Sequence, residues 1–271
     1  MLRDVSRCLL AALLVMSAPW AHALVFAVNE GVTYRVPLEE VRSRYAAMAS
    51  DLSKILKQPV TVEPIGDYPT LRRGLAAKTY DLAMVHPAHL SIQAIKESNY
   101  KLVVVTKGFQ QYQASFLVKS DSPLKSLGDL KGMKLGAPDE DSITSWMVRA
   151  SLRDAQIDPK AMAITYTRYQ DAVPFFVENN LTASGATASN SLVKAWQAKG
   201  GKVLFQSKPV PIKHIIASPA IAPEQLVKVR DYFLSLSESD EGKKKLEPTK
   251  YSGFERYDDA ALLTIGTWLG L

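Results

Sequence analysis

Two hydrophobic rhythms alternate along this chain. Leu24 to Val28 is a short, unbroken apolar run closed by Asn29-Glu30-Gly31, the pattern of a buried strand and its turn. From Leu38 to Leu56 the residues Val41, Tyr45, Met48, Leu52, Ile55 and Leu56 recur at helical spacing, which predicts an amphipathic helix. The succession continues with strands over 60–64, 81–85 and 101–106, separated by a helix over 68–77 and another opening near Pro87. After Gly108 it begins again. Strands are predicted over 114–118, 133–137, 163–167 and 203–206, and a short helical turn over 127–131. Helices are predicted over 142–155, 171–177 and 190–199. Beyond Lys208-Pro209-Val210-Pro211 the chain resumes at Ile212 to Ala217 and then runs through long helices to the end. Ser184, Thr187, Ser189 and Ser191 read as a solvated polar loop.

Strands separated by helices imply parallel pairing in an open sheet. Because the series restarts at Gly108, the pattern predicts an α/β protein of two doubly wound lobes joined by a two-strand hinge. One lobe takes residues 24–109 and is completed by 212–271; the other takes residues 110–211. The chain crosses between them near 108–113 and again near 207–212. A cleft between lobes is the usual place for a small ligand.

Residues 1–23 follow a different rule. Arg3 and Arg7 precede the apolar run Leu9 to Met16, and Ala21-His22-Ala23 fits a signal-peptidase site. A signal peptide cleaved after Ala23 and export to the periplasm are expected. The apolar core is too short for a permanent membrane anchor. The one cysteine, Cys8, falls inside this leader. The exported chain is therefore expected to hold no thiol, which excludes a disulfide scaffold, a cysteine nucleophile and thiolate metal sites. A composition 47% hydrophobic allows the sizeable core that such a chain needs. The net charge of +6 attracts anionic solutes at long range and is equally ordinary for an exported protein. No basic run interleaved with aromatics points to nucleic acid; Lys243-Lys244-Lys245 is a short patch on a solvated helix.

Two stretches carry a resemblance. Tyr68-Pro-Thr-Leu-Arg-Arg-Gly-Leu through Tyr80-Asp-Leu-Ala-Met-Val-His-Pro-Ala is the first, and Ser122-Pro-Leu-Lys-Ser-Leu-Gly-Asp-Leu-Lys-Gly-Met-Lys-Leu-Gly is the second. Together they resemble the phosphate/phosphite/phosphonate-binding family of ABC-transporter periplasmic substrate-binding proteins, over about residues 26 to 237. The resemblance implies the type II periplasmic binding protein fold and capture of a small oxyanion for an importer. It also places the ligand at Asp139-Glu140-Asp141-Ser142-Ile143-Thr144-Ser145-Trp146, where the family typically reads Ser-Thr-Ser-Gly at a helix start. A helix N-terminus offers unpaired N–H groups and positive potential, and hydroxyls add donors. Ser142, Thr144 and Ser145 supply those hydroxyls here; Ser142 as a simple helix cap is the competing reading. Ile143 interrupts the hydroxyl run, and Trp146 stands where a glycine is usual.

Other candidates line the predicted cleft. His86 follows the third strand at its carboxyl end, the ligand edge of an open α/β sheet; structural packing and a weak His86-x-x-His89 metal pair are its alternatives. Tyr34, Tyr68 and Tyr169 are candidate walls. Glu30, if it faced the cleft, would oppose an anion and favour a cationic or zwitterionic solute. Tyr169 replaces a histidine frequent in the family, and Thr182 replaces an acidic residue, so a carboxylate for an amine-bearing phosphonate is missing there. No cofactor and no metal are expected. The expected partners are a small, anionic solute and the membrane permease of an ABC importer, or a sensor kinase reading the same lobe closure, with the protein itself a monomer. An exported hydrolase is the remaining alternative: Ser145, His86 and Asp81 are triad residue types, but no G-x-S-x-G elbow is present.

Overall fold

The computed structural model describes residues 23–31 and 37–271. The leader with Cys8 and its cleavage motif up to His22, and the candidate Tyr34, lie outside the described residues. The first series forms β1 (Leu24–Asn29), α1 (Leu38–Leu56), β2 (Val60–Pro64), α2 (Tyr68–Ala77), β3 (Leu82–Val85), α3 (Ala88–Ser98) and β4 (Lys101–Thr106). The second forms β5 (Ser115–Val118), β6 (Lys134–Ala137), α4 (Ile143–Asp154), β7 (Ala163–Tyr166), α5 (Val173–Glu178), β8 (Ser184–Thr187), α6 (Asn190–Ala198) and β9 (Lys202–Gln206). The chain then adds β10 (His214–Ala217), α7 (Pro223–Ser235), α8 (Asp240–Leu246), β11 (Phe254–Glu255) and α9 (Asp259–Leu269).

Two sheets result, in the orders β11-β4-β10-β3-β1-β2 and β7-β6-β8-β5-β9. The helix-linked strands pair in parallel as expected, β1 with β2 and β3, and β6 with β7 and β8. The sheets are nevertheless mixed. Strand β10 enters between β3 and β4 and runs against both, while β5 runs against β8 and β9. Parallel neighbours need a crossover on the same sheet. Strand β10 instead arrives from the other lobe, which reverses its direction.

Helical spacing delivers the first lobe's core as predicted. Val41, Tyr45, Met48, Leu52 and Leu56 of α1 are all buried, in one cluster with Phe26, Leu82, Ile215 and Phe233. The serine-rich stretch corrects the reading of a solvated loop. Ser184–Thr187 is β8, wholly buried in the middle of the second sheet. Its hydroxyls are satisfied internally: Ser184 Oγ donates to the Leu117 carbonyl at 2.9 Å, and Thr187 Oγ1 donates to Gln170 Oε1 at 2.9 Å. Small residues are required there, since a Cβ on Gly185 would lie 2.8 Å from Val173 Cγ1 of the overlying α5.

Two passages join the sheets. Residues 107–114 lead out and 207–213 lead back, bonded to each other at Tyr112–Val210, at Ser207–Ala114 and at Ile212–Phe109. This is the two-strand hinge. On one flank α9 packs against both α3 and α4, and Arg153 of α4 donates to the carbonyls of Trp268 and Leu269 at 2.9 and 2.8 Å. A single apolar cluster runs across this flank, from Leu71 and Leu90 to Met147, Leu262 and Leu269.

The return passage carries two buried ionisable groups. Lys213 Nζ lies 3.3 Å from Glu30 Oε2, donates to Tyr251 Oη at 3.0 Å, and sits 4.5 Å from the ring centres of both Phe109 and Tyr251. Glu30 also accepts from the hydroxyls of Tyr45 and Tyr251. The Glu30 carboxylate is thus engaged inside lobe one, which removes it as the cationic-solute determinant considered from sequence. Burial, and then the neighbouring Glu30 charge, push the Tyr251 hydroxyl well above its ordinary value, so it serves as a donor. Next in sequence, the His214 ring is held between Ser91 Oγ and the Pro211 carbonyl, and burial pushes its pKa down to about 4.

Two outcomes follow for stability. His214 is neutral when folded, with its pKa below the ordinary value near 6.5, so its contribution is complete above pH 6.5 and is lost as pH falls toward 4. The linked loss is on the order of 3 kcal/mol, and melting temperatures between pH 7 and 4 will fall less steeply in His214→Gln than in the wild type. A parallel curve in the variant would refute the assignment. Second, Lys213→Met strands a buried carboxylate and will cost about 3–5 kcal/mol in denaturant titration; adding Glu30→Gln will recover most of it.

Candidate functional site

The segment that follows β2 faces the turns after β6 and β7 across a cleft. On the first lobe, β3 ends at Val85 and hands His86 to the rim. Its backbone N–H bonds the Asn29 carbonyl at 3.0 Å, and its side chain is 3% exposed. The ring packs on Gly31: a Cβ there would lie 2.7 Å from His86 Cδ2, and Gly31 adopts φ +90°, so glycine is demanded twice. Burial first, then the charges of Lys213 and His89, hold the His86 imidazole well below its ordinary pKa. The ring is therefore held neutral. Tyr68 opens α2 behind its cap Asp67, whose Oδ1 accepts from Thr70 N at 2.7 Å. The Tyr68 ring is buried edge-on against His89, with centres 6.1 Å apart at 81°.

On the second lobe, β6 ends at Ala137 and the chain turns through Asp139 into α4. Ser142 is the helix cap, its Oγ accepting from Ser145 N at 3.2 Å. Ser145 Oγ in turn donates to the Pro138 carbonyl at 3.0 Å. Capping is therefore present, and the Ser145 hydroxyl hydrogen is spent inside the loop. The Trp146 N–H already bonds the Ser142 carbonyl. Of the first-turn amides that a helix leaves without partners, those of Ile143 and Thr144 remain for a ligand. Ser142, Thr144 and Ser145 are each 2% exposed or less.

Asp141, just before the cap, is the focus of the cleft. Arg72 Nη2, from α2 of the opposite lobe, donates to both its oxygens at 2.9 and 2.7 Å. Trp146 Nε1 donates to Oδ1 at 3.2 Å, and His89 Nε2 lies 3.3 Å from the same oxygen. The His89 and Trp146 rings stack across the lobes, 5.1 Å apart at 23°, and the Arg149 guanidinium lies over the indole at 4.8 Å. Burial alone would raise the Asp141 carboxyl; His89, Arg72 and Trp146 outweigh it and hold it well below the usual carboxylate range. Burial lowers His89, a shift that Asp141 only partly offsets.

Tyr169, beyond the end of β7, is half-buried under the Arg168 guanidinium at 5.5 Å. Its neighbour Gln170 ties that segment to the hinge, donating to Tyr112 Oη at 3.0 Å and accepting from Thr187 Oγ1 and Ala188 N. A cavity of about 550 Å³ opens at the rim between Gly66–Pro69, Asp139–Asp141 and Tyr166–Arg168.

The structure thus sets Tyr68 near the turn that leads into α4 with its three hydroxyl residues, and it puts His86 at the end of β3 and Tyr169 after β7, apart from that turn's cavity. It also brings in Arg72, Asp141, His89 and Trp146 as a group, of which sequence reasoning singled out only His89, as half of a metal pair, and Trp146, as a departure. The hydrolase triad does not assemble. Asp81 and His86 stand at opposite ends of β3, roughly 16 Å apart along an extended strand, and the Asp81 carboxylate accepts from Val25 N at 2.8 Å. Among the described residues no group of three or more His, Cys, Asp or Glu side chains is arranged to hold a metal ion.

Residues 31–262 match the family model for the periplasmic substrate-binding protein of phosphonate ABC transporters. Curated proteins offer no significant match. Among solved structures, the chain is similar to XAC2383 of Xanthomonas citri bound to ATP, with TM-score 0.75, 15% identity, and coverage of 92% of this chain and 97% of that one. It is similar to PhnD1 of Prochlorococcus marinus in complex with methylphosphonate, with TM-score 0.68, 16% identity, and coverage of 91% and 96%. The third is PA3383 of Pseudomonas aeruginosa, a binding protein component of an ABC phosphonate transporter, with TM-score 0.65, 21% identity, and coverage of 91% and 85%. At these identities the structures establish the shared two-lobed fold, and the family model extends over most of the chain. The chain belongs to the phosphonate-binding family of ABC-transporter periplasmic substrate-binding proteins.

Proposed function

We propose that this protein captures a small phosphonate- or phosphate-like oxyanion where the start of α4 meets lobe one, and delivers it to the permease of an ABC importer. The observation that carries the reading is the cap itself. Ser142 fixes the first turn of α4 at the carboxyl end of β6, which leaves the Ile143 and Thr144 amides and the helix dipole directed at the cleft. Thr144 adds a hydroxyl, and Ser142 and Ser145 hold the turn rigid while offering lone pairs and N–H groups to its geometry. His86, Tyr68 and Tyr169 are the walls that shape the rest of the solute. Tyr34 belongs to the same proposed set on sequence grounds alone.

Closure follows from capture. A solute that touches both lobes binds the closed state better than the open one, and that difference drives the hinge. The lobes we assign are 24–109 with 212–271, and 110–211. The working form is a monomer, exported to the periplasm with its leader cleaved after Ala23, and it binds without chemical turnover. Binding needs no nucleophile; the dispersal of Asp81, His86 and Ser145 is in keeping with that.

Isothermal titration of methylphosphonate and inorganic phosphate into the wild type and Ser142→Ala/Thr144→Ala tests the site. The double variant is expected to bind at least ten-fold more weakly, since hydrogen bonds to a charged group contribute about 1.5–3 kcal/mol each. Loss of the cap lowers stability by about 1 kcal/mol, so circular dichroism must show that the variant is folded. Unchanged affinity in a folded double variant would remove the start of α4 from the binding site.

A further inference from the structure

The three groups around Asp141 do something for a carboxylate that the proposed site must also do for a solute. A single guanidinium nitrogen, Arg72 Nη2, reaches both oxygens from α2, an indole N–H reaches one of them from α4, and an imidazole edge closes the side from α3. These donors come from both lobes and converge beside the first turn of α4. A guanidinium with a second donor beside it suits a phosphonate face as well as it suits a carboxylate. Trp146, the departure from the family's glycine, has its role here: its indole stacks on His89 and donates to Asp141. Asp141 and Trp146 of the motif belong to one arrangement.

We propose that Arg72, with Trp146 and His89, forms an oxyanion-recognition cradle in which the Asp141 carboxylate is the resident anion, and that a solute oxyanion enters by taking Arg72 from Asp141. This rests on the oxyanion reading of the cleft given above. Three observations favour exchange over a permanent structural pair. The Arg72 and Asp141 side chains are 40% and 31% exposed, the solvated kind of ion pair that contributes little net stability. Asp141 lies in a surface turn beside the rim cavity, adjoining Asp139 and the exposed Glu140, so its carboxylate has water to turn into. An ionised Asp141 left in place would repel an oxyanion at the Ile143 and Thr144 amides, whereas removing it from Arg72 relieves the repulsion and frees a cation in one movement. Arg72 is then a specificity-determining residue, and Asp141 sets the threshold that an incoming anion must exceed. Solutes with a full double charge are favoured over monoanions.

The test is isothermal titration with methylphosphonate and inorganic phosphate into the full exported chain. Four proteins are compared: wild type, Asp141→Asn, Asp141→Asn/Arg72→Gln, and Ser142→Ala/Thr144→Ala. Asn preserves the shape at 141 and deletes the competing charge. We expect Asp141→Asn to bind about ten-fold tighter than wild type, and the added Arg72→Gln to abolish that gain. Equal or weaker binding by folded Asp141→Asn overturns the exchange, as does a gain that survives Arg72→Gln. If wild type binds and loses affinity in Ser142→Ala/Thr144→Ala while Asp141→Asn is unchanged, the oxyanion site stands and only the exchange falls. If no variant binds either anion, the oxyanion reading and the exchange fall together.

Discussion

One carboxylate, on Asp141, gathers donors from both lobes at the mouth of the cleft. It projects from the turn before α4 and receives donors from α2 and α4 of opposite lobes, with His89 of α3 against it. Its Arg72 partner is partly solvated, and pairs of that kind are worth about 0–1 kcal/mol. The interaction therefore acts less as a clamp than as a choice of charge. With Asp141 on Arg72, the boundary between the lobes is neutralised from within. The stacked His89 and Trp146 rings and the capped first turn of α4 are all arranged around that carboxylate. The hydroxyls of the motif do quieter work, since Ser142 and Ser145 spend their best geometry holding the turn.

The remaining strength of the molecule lies away from the cleft, where the groups are dry. Glu30, Lys213, Tyr45 and Tyr251 form a closed network that anchors the returning hinge passage to lobe one. His214, the next residue along, stays neutral between Ser91 Oγ and the Pro211 carbonyl. Breaking either arrangement leaves a buried polar group unmet, which costs far more than loss of a solvated pair. Helix α9 adds apolar contacts to α3 and α4 together, so relative motion of the lobes must be accommodated on that flank. Rigid interiors, a thin two-strand hinge and a weak charged contact at the mouth are a consistent set for a protein that opens and closes around cargo.

Much of this architecture is legible in the residues themselves. The alternation of apolar runs with helical spacing locates nearly every strand and helix, because burial of one face writes a period directly into the sequence. The restart after Gly108 marks the second lobe, and the cap at Ser142 is readable from residue type. What escapes has physical reasons. Strand β8 carries serine, glycine and threonine because α5 presses on it and its hydroxyls find partners, so its polarity mimics a loop. The direction of β10 depends on where the chain comes from, which no local pattern encodes. Arg72 and Asp141 lie 69 positions apart, and nothing in either neighbourhood announces the other. Glu30 looks like a cleft residue because it follows a strand at the ligand edge; its partners Lys213 and Tyr251 come from the distant end of the chain.

The most decisive measurement is a crystal structure of the protein with methylphosphonate bound. Phosphonate oxygens are expected on the Arg72 guanidinium and on the Ile143 and Thr144 amides, with the Asp141 carboxylate rotated away from Arg72. A bound solute with the Arg72–Asp141 pair intact and no contact to the start of α4 would contradict both the site and the exchange.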